Sequence, residues 1–141
     1  MPVRGFDHVA MPTADTEACI AYYKKLGFVI LYEDEWRAGK VRNVAIQVDE
    51  HVKINVHTPD LWQDPKFTLR GPAALPGCAD LCFFFDGTIE EAEEMLRAAG
   101  SELTAGPIEQ RGGADAGMRR GRSVYTRDPD GNLLEFMTYP A

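Results

Sequence analysis

The chain has 141 residues, 45% hydrophobic and 26% charged, a balance that supports a folded core and excludes a disordered chain. Its 15 basic and 22 acidic residues leave a net charge of 15 − 22 = −7, which argues against nucleic acid as a partner, because phosphate binding needs clustered Lys and Arg. No apolar run reaches the roughly 18 residues that a membrane span needs, and the opening "MPVRGFDHVAMP" lacks the apolar stretch of an export signal, so a cytoplasmic protein without a membrane partner is expected.

In chain order, "FDHVAM" predicts a first strand over Phe6–Met11. Asp15 is placed to cap a helix through "TEACIAYYKKLGF", with Lys24 and Lys25 in its last turn and Gly27 ending it. Strands are expected near Phe28–Glu33, Val41–Val48 and Val52–Val56. In the last of these, Val52, Ile54 and Val56 alternate with Lys53, Asn55 and His57.

"CADLCFFF" then predicts a strand over Ala79–Phe85, and Thr88 with Glu91 has capping-box spacing for the helix "IEEAEEMLRAAG". Strands follow near Glu102–Ala105, Arg122–Thr126 and Leu133–Thr138, and Gln110–Gly121 is read as a flexible loop able to lid a pocket. The basic trio Arg119, Arg120 and Arg122 reads as a solvated loop, with binding of a substrate carboxylate as the alternative. Cys19, Cys78 and Cys82 are odd in number, show no CxxC spacing, and read as free buried thiols of a reducing compartment.

The pattern therefore runs twice: strand, helix, three strands. This predicts an α+β fold of two βαβββ modules, residues 1–58 and 78–141 with a connector over 59–77, forming a curved mixed sheet around a metal-binding cup. His8, His57, Asp80 and Glu135 each fall on an expected strand at positions facing one side. Glu135 raises the sharpest question, since a carboxylate between Leu134 and Phe136 must pair with a cation, take a proton or bind a metal. Arg122 or Arg127 could supply that cation; two imidazoles and a carboxylate equally form a set that divalent metals accept. Trp36, Trp62, Phe67, Phe83 and Tyr125 read as core, with pocket lining as the alternative. No GxSxG elbow, dinucleotide fingerprint or P-loop is present.

"FDHVAMPTADTEACIAYYKKLGF" and the closing "RDPDGNLLEFMTY" resemble the vicinal oxygen chelate superfamily of glyoxalase I, fosfomycin-resistance and bleomycin-resistance proteins and extradiol dioxygenases. The likeness is closest to the branch of glyoxalase domain-containing protein 5 and its bacterial virulence-associated relatives. It implies metal ligands at His8 and Glu135, with His57 completing the set. Where glyoxalase I has a Glu and a second His, this chain has Asn55 and Asp80, so Asp80 is either a further ligand or the catalytic base. The implied cofactor is a divalent metal (Ni, Zn, Mn, Co or Fe), and the implied partners are a small-molecule substrate and a second copy of the chain in a homodimer. Three functions are implied by the resemblance: a glyoxalase I-like lyase or isomerase, an iron or manganese dioxygenase, or a metal-free drug-binding protein.

Overall fold

A computed structural model describes residues 1–140, which divide into two compact units, Met1–Cys78 and the part that begins at Ala79. The first unit contains β1 (His8–Pro12), α1 (Thr16–Lys25), β2 (Val29–Leu31), α2 (Glu33–Arg37), β3 (Asn43–Gln47), β4 (Lys53–His57) and α3 (Pro59–Trp62). The second contains β5 (Asp80–Phe84), α4 (Ile89–Ala98), β6 (Ala105–Arg111), a short turn α5 (Ala114–Gly117), β7 (Arg120–Arg127) and β8 (Leu133–Thr138). The fold class is α+β, with one four-stranded mixed sheet in each unit.

The two sheets share one topology. Strand order is β1-β4-β3-β2 in the first and β5-β8-β7-β6 in the second, and in each the first strand pairs parallel with the last. Each sheet buries one face against its helix. Val44, Ile46, Ile54 and Val56 form that face in the first unit with Tyr23 and Ile20 from α1; Leu134, Phe136 and Val124 form it in the second with Ala92 and Leu96 from α4. Full burial of such a side chain contributes about 1.5–3 kcal/mol, so the helix-facing register is strongly specified.

The caps form as the sequence suggests. The Asp15 carboxylate accepts from the Ala18 amide at 3.0 Å, and the Thr88 hydroxyl accepts from the Glu91 amide at 3.1 Å. Gly27 and Gly100, with φ of 100° and 69°, end α1 and α4 in the left-handed region that favours glycine.

Several elements differ from the expected ones. The strand expected over Phe28–Glu33 stops at Leu31, because Tyr32 turns left-handed (φ 66°) and Glu33 opens a helix that no strand pattern announced. Surface ion pairs then hold that helix, Glu33 to Lys24 at 2.6 Å and Arg37 to Glu17 at 2.6 Å. The sixth strand lies at Ala105–Arg111 rather than Glu102–Ala105. Pro107 is accommodated there by a register shift between Ala105 and Ile108, where the ladder does not need its missing amide. The loop expected over Gln110–Gly121 shortens at both ends, since Gln110 and Arg111 belong to β6 and Arg120 and Gly121 to β7. Cys19 is buried as expected, whereas Cys78 and Cys82 are exposed residues, with the Cys82 thiol itself part-buried, and no disulfide joins the three.

The turn before β8 is tied down by buried polar groups. Asp128 accepts at 3.0 Å from the amides of both Asp130 and Asn132 and at 2.8 Å from the Asn132 side chain. The Asn132 side-chain oxygen in turn accepts the Ala79 amide at 2.9 Å, fixing the entry to β5 beside the entry to β8. Asn132 is 1% exposed, so its removal leaves buried groups without partners. Asn132→Ala is expected to lower stability by about 2–3 kcal/mol in urea denaturation.

Candidate functional site

Alternation along each strand sends one set of side chains to the helix and the other to the open face of the sheet. On the open face of the second unit Glu135 stands at the centre, directly between Cys82 of β5 and Tyr125 of β7. It is only 9% exposed. The Ser123 hydroxyl donates to Glu135 Oε2 at 2.6 Å, and Gln110 Nε2 donates to the same oxygen. Gln110 Nε2 also donates to the Tyr125 hydroxyl at 2.8 Å, so one amide bridges the acid and the phenol.

Among the described residues no Lys or Arg forms an ion pair with Glu135. Arg127 instead donates to the Gly131 carbonyl at 2.9 Å, and Arg122 sits in register opposite Thr138, on the other side of the sheet. Two neighbours register the charge of Glu135. The Cys82 thiol is pushed up to about 12, first by burial and then by Glu135, and the Tyr125 hydroxyl is raised by burial and then by the same carboxylate. Asp80, exposed on the same face, lies opposite Leu133, two residues from the position opposite Glu135.

In the first unit the matching face carries His8, Asn55 and His57. The His8 imidazole is half exposed, and its Nδ1 lies 2.6 Å from Asp7 Oδ1. A carboxylate can only accept there, so Nδ1 carries the hydrogen and Nε2 is the ring nitrogen left to a metal. The hydrogen bond from His8 holds the Asp7 carboxyl below its ordinary range. His57 packs edge-on against Phe67, with ring centroids 5.2 Å apart. Burial lowers its pKa below the ordinary 6.5, and the charge of Arg70 lowers it further.

The strand register settles how the two units correspond. Asn55 pairs with Ala10 and Ala45 in the first sheet as Glu135 pairs with Cys82 and Tyr125 in the second. His8, opposite Lys53, corresponds to Asp80, opposite Leu133, and His57 corresponds to Met137. His8 and His57 therefore share a face but stand at opposite ends of the β1–β4 pairing, with Asn55 between them. The Asn55 side-chain oxygen is buried and has no hydrogen-bond partner among the described residues.

That orphaned oxygen, Nε2 of His8 and the Glu135 carboxylate are donor types that a divalent metal accepts. No group of three His, Cys, Asp or Glu side chains close enough to hold a metal is found among the described residues. Sequence reasoning missed Asp7, Ser123 and Gln110. Asp7 adjoins a candidate ligand in sequence, but an exposed acid beside a His carries no signal of its own. Ser123 and Gln110 reach Glu135 only through strand pairing.

The family model for the Glyoxalase/Bleomycin resistance protein/Dioxygenase superfamily matches residues 5–136. The chain belongs to this superfamily. It is 30% identical over 140 residues to the virulence protein STM3117 of Salmonella typhimurium, covering 99% of this chain and 87% of that protein. The crystal structure of STM3117 superposes with a TM-score of 0.79, covering 99% of this chain and 100% of that one. The glyoxalase domain-containing protein RDO1 of Mycosarcoma maydis is 29% identical over 139 residues, 99% of this chain and 70% of its own length. A lactoylglutathione lyase from Agrobacterium tumefaciens shares the fold, with 19% identity and a TM-score of 0.68 over 97% of this chain and 95% of that one. Members of this superfamily include enzymes and binding proteins, and divalent metals are common among them.

Two measurements probe these electrostatics. The raised pKa of Cys82 makes its thiolate scarce at pH 8, so iodoacetamide is expected to label Cys78 before Cys82, and Glu135→Gln to speed labelling of Cys82. His57 is expected to titrate below 6.5 by NMR, with Arg70→Gln moving its midpoint upward. Because the folded pKa is lowered, the stability linked to His57 is fully present above 6.5 and is lost as pH falls through the folded value.

Proposed function

We propose that the chain is a metal-dependent enzyme of this superfamily, a glyoxalase I-like lyase or isomerase acting on a small substrate with vicinal oxygens. The observation that carries this reading is Glu135. A carboxylate 9% exposed, held by a hydroxyl and an amide and paired with no cation among the described residues, is poorly explained as a packing element. It suits a group that meets a metal or exchanges a proton.

In this reading His8 and Glu135 are metal ligands, His57 completes the set, and Asp80 is a further ligand or a base. The bound ion, one of Ni, Zn, Mn, Co or Fe, supplies Lewis acidity toward the paired oxygens of the substrate. Asp7 keeps the His8 lone pair on Nε2 by accepting the Nδ1 hydrogen. Ser123 and Gln110 hold Oε2 of Glu135 in place, so that its orientation does not depend on the ligand. A proton taken by Glu135 or Asp80 can be returned at the neighbouring carbon, which is what an isomerisation between vicinal positions requires.

A cytoplasmic homodimer is the setting we propose. Three cysteines outside any disulfide, of which two are exposed, suit a reducing compartment, and no helix of the described residues is long and apolar enough to cross a membrane.

Metal analysis of tag-free protein by inductively coupled plasma mass spectrometry tests the proposal. About one equivalent per chain is expected in the parent and a loss of it in His8→Ala and Glu135→Ala. Iron in the parent would redirect the reading to a dioxygenase. Failure to retain any ion after reloading would leave the drug-binding protein.

A further inference from the structure

Beside Glu135, within the second unit, lies a cavity of about 810 Å³. That volume lies within the range of small-molecule sites. Its two ends differ chemically. Glu135, Gln110 and Cys82 line one end. Toward the other lie Tyr139 and Arg119, with Met137 and, in register opposite it, Phe84 in between. From Glu135 to Tyr139 is four residues of nearly extended chain, roughly 13 Å.

Arg119 is built into this far end. Its guanidinium lies over the Tyr139 ring, 4.9 Å from the centroid, and one Nη2 hydrogen goes to the Pro140 carbonyl at 3.1 Å. Tyr139 is itself positioned by the Ala114 amide, which donates to its hydroxyl at 3.2 Å, and by the Phe84 ring, 5.9 Å away. Gly112 makes room for that hydroxyl, because a methyl there would collide with it and with the Met137 sulfur. The neighbouring Arg120 is differently placed and pairs with Glu109 at 2.8 Å. Phe84 is 67% exposed beside Arg119, an apolar surface that water covers poorly.

We infer that this cavity takes a substrate with a slender apolar body and an anionic tail, and that Arg119 anchors the tail. The inference deepens the reading of Glu135 as the reacting end. Without an ion at Glu135 an anion placed there would meet a carboxylate, whereas at Arg119 it meets a guanidinium with hydrogens to donate, so in the metal-free chain the charges at the two ends fix the orientation. The net charge of −7 repels anions at long range, so recognition of one depends on a local cation such as this. Carboxylate, phosphonate and phosphate tails share the required chemistry. The apolar body spans roughly 7 Å, the two residues of strand from Met137 to Tyr139, with Phe84 opposite Met137.

Calorimetric titration of the full chain with phenylhexanoate, its neutral amide and phenylpentylphosphonate tests the anchor. The parent is expected to bind at least one of the two anions about tenfold or more tightly than the amide. Arg119→Gln is expected to lose that preference with amide binding unchanged, and Arg119→Lys to keep part of it. Whichever anion binds more tightly names the kind of tail, and either supports the anchor. Equal binding of the anions and the amide by the parent, no binding of any probe, or a preference that survives Arg119→Gln overturns it. The probes do not react, and the titrations of the parent and of Arg119→Gln are made on protein stripped of metal with EDTA, so that no ion at Glu135 can hold the tail.

Discussion

Each sheet turns one of its faces to a single long helix, α1 or α4, and that constraint decides where nearly every functional side chain can stand. The alternation of a strand then sorts every side chain into a face that must be apolar and a face that need not be. In the second unit Leu134 and Phe136 are committed to the helix, so Glu135, lying between them, has to emerge on the open face. In the first unit Ile54 and Val56 commit Asn55 in the same way. A slip of one residue would bury the carboxylate against α4 and expose the apolar pair, which makes the register of β8 hard to alter.

The two units share this geometry and differ in their chemistry. The two units place Asn55 and Glu135 at one register position and His8 and Asp80 at another. The first unit's face carries imidazoles and a neutral amide, with Arg70 close enough to lower the pKa of His57. The second unit's face carries acids and a thiol whose ionisation those acids oppose. Two units of one topology are thus electrostatically unlike. The strand pairings are held by backbone hydrogen bonds that do not depend on which side chains face outward.

Around Glu135, satisfaction of hydrogen bonds and availability for chemistry compete. A carboxylate that is nearly buried costs several kcal/mol unless donors reach it, and Ser123 and Gln110 supply them. Both donors are neutral, so they steady the charge without cancelling it, as a salt bridge to Arg would have done. Arg119, by contrast, commits one donor to a backbone carbonyl and rests on an aromatic ring, which orients its charge without neutralising it. The cavity therefore carries a carboxylate at one end and a guanidinium at the other.

Much of this was already present in the one-dimensional pattern. The repeat, the caps at Asp15 and Thr88, and the candidacy of His8, Asp80 and Glu135 come from spacing and alternation, because these depend on residues close together in the chain. The boundaries of β6 and β7 did not, since a Pro-containing strand and its Gly-rich neighbour look like loop until pairing supplies their hydrogen bonds. Nor did the helix at Glu33–Arg37, which rests on a left-handed Tyr32 and on ion pairs reaching back to α1. The local sequence alone determined which side chains could face the site. Only the tertiary structure decided what surrounds them: Ser123 and Gln110 on Glu135, Asp7 on Nδ1 of His8, and Tyr139 beneath Arg119. Of these, only Asp7 adjoins its partner in the chain. The others are brought together by strand register, a long-range relation between segments that no local window of sequence contains.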